Sequence, residues 1–205
     1  MSKSPLAAVH AAAIFPRRAR VLGAVICNIL PRGATVLDVG CGDGTIAALW
    51  MEMRPDVRVE GIDVLVRPQT KIPVQGFDGR TIPYPDRSFD VVSLVDVLHH
   101  ADDAVQLLRE AARVSKGLVV IKDHYAETRL DRAALALMDW VGNAHHGVAL
   151  PNNYWSRSQW KQAFDMTGLA EDGVDTRLPL YPFPFNLAFG RGLHFVCRLK
   201  ASAAG

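Results

Sequence analysis

VLDVGCGDGT, residues Val36–Thr45, sets three glycines within five positions directly after a short apolar run. Glycine at that density marks backbone that turns left-handed or that something must approach closely. The apolar run reads as a buried strand and the following TIAALWMEM as a helix, so the glycines join a strand to a helix N-terminus. At such a junction bare backbone admits a ligand, and the free N–H groups of the first helical turn favour a negative group on it. Spacing then separates one ligand from another. The dinucleotide fingerprint is G-x-G-x-x-G, whereas Gly40, Gly42 and Gly44 give G-x-G-x-G, with Asp38 inside the strand two residues earlier.

Outward from that loop, strands and helices alternate, the pattern of a parallel sheet covered on both faces. TVLDVG is a first strand, VRVEGIDV a second ending in Asp63, PVQGFDG a short third, FDVVSLVDVL a fourth and GLVVIKDHY a fifth. Between the last two, DAVQLLREAARVSK forms an amphipathic helix with Val105, Leu108 and Ala112 on one face and Gly117 as its stop. Leu130, Ala134, Leu137, Met138 and Val141 recur at helical spacing as a further core stripe, halted near Gly142. SRSQ, Ser156–Gln159, is a capping box opening a helix that Gly168 closes. Leu169–Leu178 and Leu193–Lys200 read as two closing strands, joined by the proline- and aromatic-rich connection PLYPFPFNLAFGRG. The expected fold is therefore α/β and doubly wound (Rossmann-like): a mostly parallel, seven-stranded sheet with helices on both faces and an antiparallel strand at the C-terminus.

Composition narrows the class. With 205 residues, 49% of them apolar and 21% charged, the chain suits one globular domain over 1–205. Residues 1–34 would form a helical lead-in, 35–125 the ligand-binding half and 126–205 the substrate side. A net charge of +2 provides no basic stripe for nucleic acid, Arg17, Arg18 and Arg20 being one small cluster. VLGAVICNIL is about half the length of a bilayer span. MSKSPLAAVHAAAIFPRR has the look of a secretory leader, but His10 interrupts its apolar stretch, and both segments read as helices. Cys27, Cys41 and Cys197 are odd in number and far apart, which points away from disulfides and zinc and towards the reducing cytoplasm.

These motifs resemble the class I S-adenosylmethionine-dependent methyltransferases, in particular the small single-domain kind. VLDVGCGDGT looks like the family's first motif, EGIDV like its second-strand acid, FDGRTIPYPDRSFDVV like the third and fourth, and VLHH like the segment after them, in order from Val36 to Lys116. The resemblance implies S-adenosyl-L-methionine as cofactor and a small-molecule methyl acceptor, with no nucleic acid and no membrane span. It implies that Gly40, Gly42 and Gly44 admit the methionine part, that Asp38 meets its amino group, and that Val95 borders it. Asp63 would accept both ribose hydroxyls, Val64 would lie against the adenine, and Asp78 with the Gly79 backbone would meet the adenine edge. This copy has Gly79 after the acid, where the family often has a small residue. Asp43 reads as a helix cap and Cys41 as a small filler.

On the acceptor side, KDHY closes the fifth strand, where open parallel sheets present groups to ligands. His124 is the expected general base, an imidazole titrating near neutrality, with Asp123 orienting it; both also fit as helix caps. His100 and His146 are the next candidates, from HH after strand four and from NAHHGVALPNNYW, a segment whose glycine and asparagines suit a lid over 143–155. Adjacent histidines diverge and lack the i, i+4 helical spacing, so no metal is expected. Methyl transfer to an oxygen or nitrogen nucleophile is the leading function. A nicotinamide-dependent reductase is the alternative, but none of Tyr84, Tyr125, Tyr154 and Tyr181 has a lysine four residues on. A non-catalytic S-adenosylmethionine-binding module is the third reading.

Overall fold

A computed structural model describes residues 14–143, 153–183, 185–190 and 192–201. In chain order the elements are α1 (Phe15–Cys27), β1 (Thr35–Val39), α2 (Thr45–Met53), β2 (Arg58–Asp63), β3 (Val74–Gly76) and β4 (Phe89–Val95). There follow a 3-10 turn (Leu98–His100), α3 (Ala104–Val114), β5 (Ser115–His124), α4 (Arg129–Asn143), α5 (Arg157–Met166), β6 (Leu169–Asp175), α6 (Phe185–Phe189) and β7 (His194–Ala201). The seven strands lie in the order β3-β2-β1-β4-β5-β7-β6. β1 pairs in parallel with β2 and β4, β2 with β3, and β4 with β5. β7 alone runs antiparallel, to β5 on one side and β6 on the other. The expected doubly wound sheet with its one reversed strand is what the chain forms.

Strand alternation divides the core into two faces. Leu37, Val39, Val92, Leu94, Val119, Ile121, Phe195 and Cys197 point to the side covered by α3 and α5. Val36, Val91, Val120 and Val196 point to the side covered by α1 and α2, where Leu22, Ile26 and Trp50 pack. At the C-terminal end of β5 the same alternation continues with polar residues. Lys122 and His124 therefore fall on the α1 side, and His124 pairs in register with His194 of β7.

Several local expectations are corrected. Gly117 does not stop α3, which ends at Val114; it lies inside β5 with φ 136°, because the chain enters the strand directly at Ser115. The buried face of α3 is Ala104, Leu107, Leu108, Ala111 and Val114, with Val105 and Ala112 only partly covered. α4 is turned so that Leu135 and Asp139 face inward while Leu130 and Leu137 are 64% and 50% exposed. Of the expected stripe, Ala134 and Met138 pack against the core and the two leucines do not, and Asp139 on the inward side meets His99 and Tyr154. β4 ends at Val95, before Asp96, and β6 at Asp175, not Leu178. The proline-rich connection also contains the short α6. The capping box is formed: Ser156 Oγ accepts from Gln159 N–H at 3.3 Å and Gln159 Oε1 from Ser156 N–H at 2.9 Å.

Candidate active site

The C-terminal ends of β1, β2 and β3 build one rim from backbone and two carboxylates. Gly40 donates its N–H to Ile62 O at 2.7 Å, docking the glycine loop on the end of β2. Gly40, Gly42 and Gly44 have φ of 71°, 62° and 76°. All three conformations favour glycine, but what surrounds them differs. A Cβ on Gly40 would collide with the Val97 side chain and one on Gly44 with Ile72, whereas one on Gly42 would meet nothing within 4 Å. Gly40 and Gly44 are thus packing positions, whereas the space beside Gly42 is open.

Asp63 is buried beside it, its Oδ2 accepting from Gly42 N–H at 2.7 Å and its Oδ1 from Leu65 N–H at 2.8 Å. Each oxygen keeps a further lone-pair direction, the arrangement a vicinal diol requires. Val64, next in sequence, is 64% exposed, and the Gly79 backbone approaches it so closely that a Cβ would lie 3.1 Å from Val64 Cγ1. Val64 and Gly79 thus form one small apolar surface at the end of β2. Asp78 is held otherwise than Asp63: its Oδ1 accepts from Arg80 N–H and Thr81 N–H at 2.8 and 2.7 Å. Those backbone bonds keep its pKa below the ordinary carboxylate value.

Asp38 is buried under the glycine loop, with Ser93 Oγ donating to it at 2.8 Å. Burial pushes its pKa up to about 7 against the Ser93 hydrogen bond, with the Asp63 charge adding to the rise. A cationic amino group placed there would restore the ionised form. Asp43 bonds Thr45 N–H and Oγ, as a cap does, and burial raises the Cys41 thiol well above its usual value. The partly buried Val95 closes β4 at the edge of this rim.

Beyond Val95 the rim becomes ionic. Asp96 adopts φ 57°, rare for a non-glycine residue, which swings its carboxylate onto Arg18 Nη2 of α1 at 2.8 Å and onto Lys122 Nζ. Lys122, fully buried, also lies 3.4 Å from His124 Nε2 and 3.3 Å from His194 Nδ1. A second group adjoins it: Asp123 Oδ1 takes His99 Nδ1 at 2.8 Å and His124 Nδ1 at 3.1 Å. His99 Nε2 lies 3.4 Å from Asp139 Oδ2, and Asp139 also accepts from the Tyr154 hydroxyl. Three acids, Asp96, Asp123 and Asp139, are thereby set among Arg18, Lys122 and His99. Burial alone would lower the His99 pKa, but Asp123 and Asp139 raise it to about 10.

His124 differs from its expected character. It is 3% exposed, and burial together with the Lys122 charge pushes its pKa down to about 4 against the pull of Asp123. It is therefore neutral near pH 7, but both ring nitrogens are engaged and it opens onto no free rim. Asp123 is held well below the usual carboxylate range: burial opposes this, and the His99 charge and the histidine hydrogen bonds overcome it. His100 is half-buried, with Nδ1 unpartnered, and burial and the His99 charge lower its pKa. His146 and most of the expected lid lie outside the described residues. Its last residues do not stand free: Asn153 N–H donates to His99 O at 3.4 Å, and Tyr154 is buried.

The sequence reading placed Asp123, His124 and the His99–His100 pair at this end of the sheet but did not join them to the partners that define them: Arg18, Asp96, Lys122, Asp139 and His194. One signal was present. A lysine inside the apolar run GLVVIK requires a buried acid, and Asp96 ends the neighbouring strand. A surface hollow lined by Leu30, Arg32, Arg54 and Asp56 lies at the opposite edge of the sheet, before β1 and β2, away from all these groups.

Known proteins resemble this chain in sequence and in fold. A 27-O-demethylrifamycin SV methyltransferase of Amycolatopsis mediterranei is 35% identical over 104 residues, 43% of this chain and 38% of its own. A 2-methyl-6-phytyl-1,4-hydroquinone methyltransferase of Synechocystis is 28% identical over 150 residues, 67% of this chain and 41% of its own. The chain thus spans about two fifths of the length of these curated relatives. Among solved structures, a SAM-dependent methyltransferase of Aquifex aeolicus superposes with a TM-score of 0.64 at 18% identity, covering 97% of this chain and 100% of its own, a likeness of fold. The model of the methyltransferase domain (Methyltransf_23) matches residues 10–171, so the chain belongs to that family of methyltransferase domains.

Proposed function

We propose that this chain binds S-adenosylmethionine on the β1–β3 rim and transfers its methyl group to an oxygen or nitrogen of a small organic acceptor held over β4 and β5. The observation that carries the reading is the juxtaposition of bare Gly42 with the Asp63 carboxylate, 2.7 Å apart, beside exposed Val64. In this reading Asp63 takes the ribose diol, Val64 and the Gly79 backbone flank the adenine, and Asp38 receives the amino group. Asp78 meets the adenine edge through whichever acceptor positions Arg80 and Thr81 leave it. Family membership supports the chemistry, and the small-molecule methyltransferases among its relatives support the acceptor class.

A sulfonium is already a good leaving group, so the protein's main tasks are alignment and exclusion of water. Arg18 ties α1 to the end of β4 through Asp96, which closes the ionic rim on the α1 side. His124 serves here as a positioning residue: neutral, it holds Asp123 through Nδ1 and faces Lys122 through Nε2. A base with its conjugate acid at about 4 gives little assistance to deprotonation near pH 7. Incubation with S-adenosylmethionine and a panel of phenols, alcohols and amines, read by S-adenosylhomocysteine formation, tests the proposal. Turnover with any acceptor supports it, and tight cofactor binding without turnover across the panel favours the non-catalytic module.

A further inference from the structure

We propose that His99, His100 and Asp139 form a binding site for one divalent transition-metal cation of the zinc type, where the 3-10 turn after β4 meets α4. The sequence reading set metal aside because neighbouring histidines diverge. Within the 3-10 turn they do not: the two rings lie 4.0 Å apart, centroid to centroid, at 45°. One ligand atom from each of the three residues falls within 4.8 Å of the others.

Two independent features mark these atoms as ligands. His100 Nδ1 is buried without a hydrogen-bond partner, and His99 Nε2, on a residue 2% exposed, meets only Asp139 Oδ2 at 3.4 Å, in an ion pair whose proton a cation would displace. A cation there would supply the partner that the buried His100 nitrogen lacks. His99 is also fixed as metal-binding imidazoles usually are, its other nitrogen on a carboxylate: Nδ1 lies 2.8 Å from Asp123 Oδ1, which leaves Nε2 facing Asp139. The separation of His99 Nε2 from Asp139 Oδ2, 3.4 Å, matches the roughly 3.3 Å between donors of a tetrahedral zinc with bonds of about 2.0–2.1 Å. The Tyr154 hydroxyl donates to the same Oδ2 of Asp139 and so fixes the oxygen that faces His99. His100, half-buried, needs only a modest ring movement to complete the set.

The neighbouring group His99, Asp123 and His124 also lies within ligand distance, but its Nδ1 atoms are spent on Asp123 Oδ1. Two imidazoles and one carboxylate suit zinc, iron or cobalt better than magnesium or calcium. Three protein ligands leave a coordination position open, to water or to an acceptor oxygen.

The test is calorimetric titration of the chelator-treated, desalted full chain with Zn²⁺, repeated with Co²⁺ and read by its visible absorption. One saturable site at micromolar affinity or tighter is expected. Asp123→Asn, which removes the carboxylate behind His99, should weaken it about 10- to 100-fold, and His100→Ala or Asp139→Asn should weaken it more. His124→Ala should bind within a few-fold of wild type. Circular dichroism and S-adenosylhomocysteine binding, which depends on the β1–β3 rim, confirm that each variant is folded. Absence of saturable binding by folded wild-type protein, as when water alone fills the space, overturns the site. So does unchanged affinity in both folded His100→Ala and folded Asp139→Asn. Because the readout is cation binding, this result stands apart from the outcome of the methyl-transfer assay.

Discussion

Replacing Asp63 by alanine isolates the group on which the cofactor assignment turns. Its carboxylate accepts N–H groups from Gly42 and Leu65 at 2.7 and 2.8 Å, so it shapes the glycine loop as well as offering acceptors to a ribose. Hydrogen bonds to a charged group contribute about 1.5–3 kcal/mol, so Asp63→Ala should weaken S-adenosylhomocysteine binding roughly 10- to 100-fold. Asp63→Asn should be no milder, since its amide NH₂ would be set against one of the two backbone N–H donors. Calorimetry with S-adenosylhomocysteine and with an analogue lacking both ribose hydroxyls separates the ribose contact from the loop. Wild type should prefer the natural ligand, and Asp63→Ala should lose that preference, the coupling a double-mutant cycle measures. Unchanged affinity, or a preference that survives the substitution, would refute the placement of the ribose.

Gly42→Ala and Gly33→Ala share a left-handed backbone with φ of 62° and 68°, and neither Cβ would meet an atom within 4 Å. Each should lower stability by about 1–2 kcal/mol in chemical denaturation, but only Gly42→Ala should abolish cofactor binding. Equal affinities would show that the loop is no cradle. Asp38, with its pKa near 7 in the free protein, should be driven to ionise by a bound cationic amino group. Ligand affinity measured by calorimetry should then rise with pH up to about 7 and level off above, and Asp38→Asn should flatten the profile. In the free protein the same raised pKa has the opposite sense: its stability contribution is full below about pH 4 and is lost as pH rises through 7. His124, with its pKa depressed to about 4, contributes stability present above about pH 6.5 and lost as pH falls through 4. His124→Ala should reduce that acid sensitivity of the melting temperature while keeping turnover per folded molecule within about tenfold. A loss of 10²- to 10⁴-fold with cofactor affinity intact would return proton transfer to His124.

The cofactor half was legible because its signals are local. Glycines at fixed offsets, an acid at a strand end and the alternation of strand and helix each follow from a few adjacent residues, and β1 through β5 lie where those patterns put them. The acceptor half depends on which residues meet across the sheet, and periodicity does not report that. α4 illustrates the difference. Its leucines suggest one inward face, but Asp139 has His99 and Tyr154 to reach, and the helix presents that side instead. The depressed pKa of His124, where the sequence suggests titration near neutrality, has the same kind of cause. Its pKa is set by Lys122 and burial, and the depth of that burial depends on β7, whose His194 arrives from 70 residues later in the chain.

The most direct test of the central claim is ligand-dependent thermal stability with S-adenosylhomocysteine and NAD compared side by side. A ligand that binds only the native state at 100 times its Kd adds about 2.7 kcal/mol, enough to move a melting temperature by several degrees. The account predicts a saturable rise with S-adenosylhomocysteine and none with NAD. Stabilisation by NAD with no response to S-adenosylhomocysteine would contradict it.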